Sequence, residues 1–122
     1  MWILVGALLG LTGVAIGAFG AHGLEAILTA NGRAGTFDTA SKYHLIHAVA
    51  IVAIAALAGQ LDPRLINWAA GLLTAGVLVF SGALYILAVF DIRIMGVVAP
   101  IGGLLMIAGW GVLAYAGWVS GK

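Results

Sequence analysis

Long apolar stretches alternate along this chain with polar segments short enough to be read residue by residue. Uncharged runs cover Met1–Leu24, Tyr43–Leu61, Leu65–Phe90 and Ile94–Gly121. A helix needs about 20 apolar residues to cross a hydrocarbon core about 30 Å thick. Backbone groups in lipid must be paired internally, so spanning segments are helices or closed barrels. Apolar residues here are continuous rather than alternating, which selects helices. The pattern predicts an all-α integral membrane protein of one domain, residues 1–122. Its four transmembrane helices fall at about 2–22, 38–58, 64–90 and 94–119.

The links set the topology. LEAILTANGRAGTFDTASK, between the first two spans, holds a short interfacial segment in which Leu24, Ile27 and Leu28 share a face and Asn31–Gly32 ends the helix. Asp38 is an expected N-cap for the second span. GQLDPR and DIR are tight turns, with Pro63 suited to the first helical position. Short links make neighbours antiparallel, giving an up-down four-helix bundle. Both termini and the Gly59–Arg64 turn then share one membrane face. Trp2, Trp68 and Trp118 mark that interface, and Trp110 lies deeper.

Glycine supplies the packing signal. Gly6, Gly10, Gly13, Gly17 and Gly20 form one stripe down the first helix, which is therefore expected at the centre of the packing. Small residues at this spacing let helix backbones approach closely, which drives association in lipid. Gly102, Gly109 and Gly117 act less regularly on the last helix. Pro100 removes a backbone donor there and is expected to kink it, cushioned by Gly102–Gly103.

Antiparallel threading gathers the polar side chains into one leaflet. His22 ends the first helix on the loop side, and Tyr43, His44 and His47 open the second on that side. Ser81 and Tyr85 approach the same interface from the third. Tyr43 and His47 are i,i+4 partners and His44 and His47 are i,i+3, so all project from neighbouring positions of one face. Isolated polar groups in lipid are costly, so a hydrogen-bonded network of His22, Tyr43, His47, Ser81 and Tyr85 is expected. Histidine also titrates near neutrality, which admits a proton-linked or polar-ligand role. A metal site at His22, His44 and His47 is a third reading, although no HExxH-like acidic partner accompanies them.

Composition narrows the classes. Hydrophobic residues make up 64% of the chain and charged ones 7%, against about 25% charged in a soluble domain. The opening MWILVG lacks the basic residues of a signal peptide, so the first helix is expected to remain in the mature protein. The absence of cysteine removes disulfides, thiolate metal sites and cysteine nucleophiles. A net charge of +1 without a basic cluster gives no reason to expect nucleic acid. No cofactor is expected.

Four ordered motifs carry a family resemblance: GAFGAHGL, then Tyr43 with His47–Ala48, then FSGALY, then APIGG with GW further on. Over almost its whole length the chain resembles the small uncharacterised inner-membrane proteins of the YgdD type, which have mitochondrial relatives in animals. The positions carried by the resemblance are Gly17, Phe19, Gly20, His22, Tyr43, His47, Phe80, Ser81, Gly82, Tyr85, Pro100 and Gly102. Departures fall at Ala83, Ala99 and His44, where family members often carry Ser, Thr and Gln. The resemblance implies a helical fold and a bacterial inner (cytoplasmic) membrane location, and it brings no established activity.

The leading reading is a non-enzymatic structural or interaction membrane protein, in contact with lipid and with a second copy or a membrane-protein partner. The alternatives are an oligomeric proton, ion or small-ligand pathway lined by the polar cluster, or a metal or cofactor site at the histidines.

Overall fold

The computed structural model describes residues 1–122, and every regular element in it is a helix. Four helices are long and apolar enough to cross a bilayer: α1 (Trp2–His22), α3 (Ala34–Ala56), α4 (Pro63–Phe90) and α5 (Met95–Ser120). A six-residue helix, α2 (Glu25–Ala30), fills the loop between the first two spans.

Local chemistry sets the element ends. α2 stops at Asn31, and Gly32 turns the chain at φ 64°, a left-handed conformation that a β-carbon disfavours. Asp62 caps α4 by accepting the Arg64 N–H at 2.7 Å, with Pro63 at the first helical position. Asp91, also left-handed at φ 51°, ends α4 and turns the chain towards α5. The second span departs from expectation at its start. It begins at Ala34, one turn before Asp38, which is therefore not its cap. Nothing in AGTFD stops a helix once Gly32 has turned the chain. Phe37 is buried there, Thr39 donates to the Gly35 carbonyl, and Asp38 pairs with Lys42 one turn on at 2.7 Å.

α1 runs antiparallel along α3, α3 along α4 and α4 along α5, the up-down order that short links require. α1 and α5 share no broad contact; they lie on opposite sides of the α3–α4 pair. The fully buried large side chains, Ile51, Ile54, Ile66, Leu73 and Val77, accordingly belong to α3 and α4 alone. α1, expected at the centre, stands at an edge, with Leu4, Leu8, Leu11 and Val14 exposed to lipid. Its glycines all lie on one stripe, and one stripe admits one close neighbour.

That neighbour is α3. A β-carbon at Gly6 would meet the Val52 side chain at 2.6 Å, one at Gly13 the Leu45 side chain at 2.8 Å, and one at Gly17 Ser41 Oγ at 3.1 Å. Gly20 admits the Phe37 ring, and Gly10 is looser, 3.9 Å from the Ala48 β-carbon. The α4–α5 seam is tighter still. Gly102 rests on the backbone of Gly76 and Phe80, and Gly109 faces Leu73. Two motif positions differ from their expected packing roles. A β-carbon at Gly82 would meet nothing within 4 Å, and the same holds at Gly117. α5 continues through Pro100, which is exposed on its lipid side. The carbonyl that Pro100 frees belongs to Gly96, which neighbours Leu87 rather than Tyr85.

Candidate functional site

The polar side chains of the loop-side leaflet form two junctions on either side of α4, each built on one histidine of α3. His44 and His47 are 6% and 4% exposed. Three residues apart, they project about 60° from each other around the helix. Because α3 is flanked on two sides, that modest angle sends one ring towards α1 and the other towards α5. The single network expected around His22, Tyr43, His47, Ser81 and Tyr85 is therefore divided.

The first junction joins α1, α3 and α4. His44 Nε2 lies 3.3 Å from Thr12 Oγ1, and His44 Nδ1 lies 3.0 Å from the Tyr85 hydroxyl. The partners assign the tautomer. Thr12 already donates its hydroxyl hydrogen to the Leu8 carbonyl at 2.9 Å, so towards His44 it accepts. Nε2 therefore carries the hydrogen, and Nδ1 accepts from the Tyr85 O–H.

The second junction joins α3 and α5. His47 Nδ1 donates to the Tyr43 carbonyl at 2.7 Å, one helical turn earlier. The Trp110 indole, a donor only, gives its Nε1–H to His47 Nε2 at 3.1 Å. His47 thus holds the opposite tautomer from His44. Its ring stacks on Tyr43 at 5.9 Å between centroids and meets Trp110 edge-on at 6.0 Å. The Tyr43 ring also touches Phe80 of α4 at 4.8 Å. Ser81 is held apart from both rings: it donates to the Ala40 carbonyl at 2.8 Å and pins α4 directly to the α3 backbone.

His22 joins neither junction. It is the exposed last residue of α1, where a cation complements the carbonyl end of the helix dipole. No group of three His, Asp or Glu side chains is placed to hold a metal ion, so His22, His44 and His47 do not converge. Thr12 and Trp110, by contrast, are junction residues that spacing within single helices does not reveal. Their signals were present but unspecific. Trp110 lies deeper than the interfacial tryptophans, and Thr12 interrupts a glycine-rich apolar helix.

One space borders the first junction and a second lies nearer the loop. A cleft of about 240 Å³ between α1 and α4 is lined by Thr12, His44, Ser81, Gly82 and Tyr85 together with apolar side chains. The missing β-carbon of Gly82 keeps it open. Towards the loop, a groove of about 320 Å³ is bounded by Gly17, Glu25, Thr29, Asp38 and Ser41. On the terminus side, a separate bond from Trp2 Nε1 to Asn67 Oδ1 at 2.7 Å holds α1 to α4.

Residues 16–103 match a family described as a protein of unknown function, DUF423. A UPF0382 membrane protein of Staphylococcus haemolyticus is 44% identical over 110 residues, spanning 90% of this chain and 88% of its own. The UPF0382 membrane protein YwdK of Bacillus subtilis is 38% identical over 117 residues, spanning 95% and 94%. No solved structure matches.

Proposed function

We propose that this chain, which belongs to the DUF423 family, is a non-enzymatic helical scaffold of the bacterial inner membrane whose buried polar side chains fix how its helices pack. The observation that carries this reading is saturation. Both ring nitrogens of His44 and both of His47 are engaged by the protein, and no buried side-chain nitrogen or oxygen lacks a partner. A group fully engaged in joining helices has no free lone pair to offer a metal ion or substrate. The exposed apolar faces of α1 and α5 contact lipid and serve as the surface for a second copy or another membrane protein.

The test is a double-mutant cycle on the α3–α5 junction, using His47→Ala and Trp110→Phe in detergent-solubilised protein. Both single variants lower the unfolding midpoint in a denaturing-detergent titration, and the pair shows a coupling of about 1 kcal/mol, typical of a hydrogen bond between membrane helices. Unchanged stability in both variants, together with loss of an ion or solute flux that the parent protein supports in vesicles, would overturn the scaffold reading.

A further inference from the structure

The two buried histidines differ in whether their partners can tolerate a second ring proton. At His47 they cannot. Nε2 accepts from an indole that has no lone pair to offer, so a proton there would set N–H against N–H. At His44 they can. Nδ1 accepts from the Tyr85 hydroxyl, and a hydroxyl can reverse its role and accept instead. Tyr85 is half-buried and packs its ring on Phe37 at 5.2 Å, and Phe37 lines the loop-side groove with Glu25 and Asp38. The Tyr85 hydroxyl is therefore the link to a buried ring nitrogen.

We propose that His44 is a reversible proton-binding site, filled from the loop side of the membrane through Tyr85. The transfer balances at every atom. A proton from loop-side water binds the Tyr85 oxygen as the phenol's own O–H bond breaks, and the proton so released passes to His44 Nδ1. The bond then runs in the opposite sense, from His44 Nδ1–H to the Tyr85 oxygen, and is not lost. Nε2–H keeps Thr12 throughout.

The surroundings are simple. α1 presents the Thr12 hydroxyl, and its own titratable His22 is exposed at the helix end. α4 presents Tyr85 and Ser81, while Arg64 sits at its opposite end. α3 contributes, nearer the interface, the Asp38–Lys42 pair. α2 brings Glu25 to the groove, and the α5 side of the bundle is occupied by His47 rather than His44. No carboxylate bonds the His44 ring. Glu25 and Asp38 stand at the groove, where their charge concentrates cations, hydronium included.

This inference goes beyond the scaffold reading, which stands or falls on the His47 junction. The test is nitrogen-15 NMR of the full chain, labelled at histidine and held in lipid nanodiscs, titrated from about pH 8 to about pH 5, the range in which imidazole changes charge. The expected result is an Nε2–H tautomer for His44 that becomes doubly protonated as pH falls, beside a separate signal from the Nδ1–H tautomer of His47. His44→Gln, which retains both donor and acceptor, removes the titrating signal and so assigns it. Tyr85→Phe abolishes appearance of the doubly protonated form over the same range. A singly protonated His44 throughout in the parent protein overturns the proposal, and so does undiminished proton uptake in Tyr85→Phe.

Discussion

At Gly102 a β-carbon would strike the Phe80 amide nitrogen and approach the Gly76 carbonyl at 2.6 Å. Both are backbone atoms, which cannot swing aside as a side chain can. At Gly82, six residues further along α4 from Gly76, the same methyl group would meet nothing. Gly102→Ala should therefore cost about 1–3 kcal/mol of stability, the range for forcing an extra carbon into a packed seam. Gly82→Ala should stay within about 0.5 kcal/mol of the parent, as a change away from packed features does. Unfolding midpoints in a denaturing-detergent titration separate the two. The Gly82 result has a second use, because an added methyl narrows the α1–α4 cleft without touching the helix seams. The motif in which each glycine stands gave no means of telling them apart. Seam or cleft depends on which helix lies opposite, and that is a property of the assembly.

Among the elements, α2 is the smallest and has a clear mechanical role. The last carbonyls of a helix have no partner within it. Asn31, at the end of α2, donates its amide to two of these on α4, Ala88 at 3.0 Å and Val89 at 3.1 Å. Arg33 adds an ion pair to Asp91 at 3.1 Å, partly exposed on both sides. Asn31→Ala is expected to cost about 1–2 kcal/mol, the worth of two such hydrogen bonds. It should also loosen the final turn of α4, seen as faster amide hydrogen exchange. Arg33→Ala is expected to cost less than about 1 kcal/mol, because a solvent-screened pair contributes little. Run length and the turn residues Gly32, Asp62 and Pro63 made the existence and order of the helices legible in the sequence. The start of α3 was not, because Asp38 is a good cap residue in a segment that is also a good helix. Burial of Phe37 against Gly20 across the α1–α3 interface decides for helix.

For the whole molecule the informative feature is the order of packing, α1 on α3, α3 on α4, α4 on α5, with α1 and α5 apart. The chain has no cysteine, so introduced pairs report on this order directly. The 3.9 Å between a β-carbon at Gly10 and that of Ala48 matches the spacing of a disulfide, about 3.5–4.5 Å. Gly10→Cys with Ala48→Cys should bridge readily within one chain, read as a mobility shift without reductant. Gly10→Cys with Ala108→Cys, on helices that share no broad contact, should not. Efficient bridging of the second pair within one chain would mean a closed ring of helices. The same order explains why the site was only half legible. Threading alone places His44, His47, Ser81 and Tyr85 in one leaflet, and that much follows from numbering. Their division into two junctions follows from α3 being flanked on both sides, which no periodicity within α3 records.

Each broad interface joins helices that are consecutive spans in the chain, and none waits for the C-terminus to return to the N-terminus. Local contacts of this kind form early and quickly, and chains assemble from the N-terminal end as they are made. A span leaving the ribosome therefore finds the helix it packs against already in the bilayer. Synthesis and assembly of this protein share one direction, and the last helix completes the stack by docking on the one made just before it.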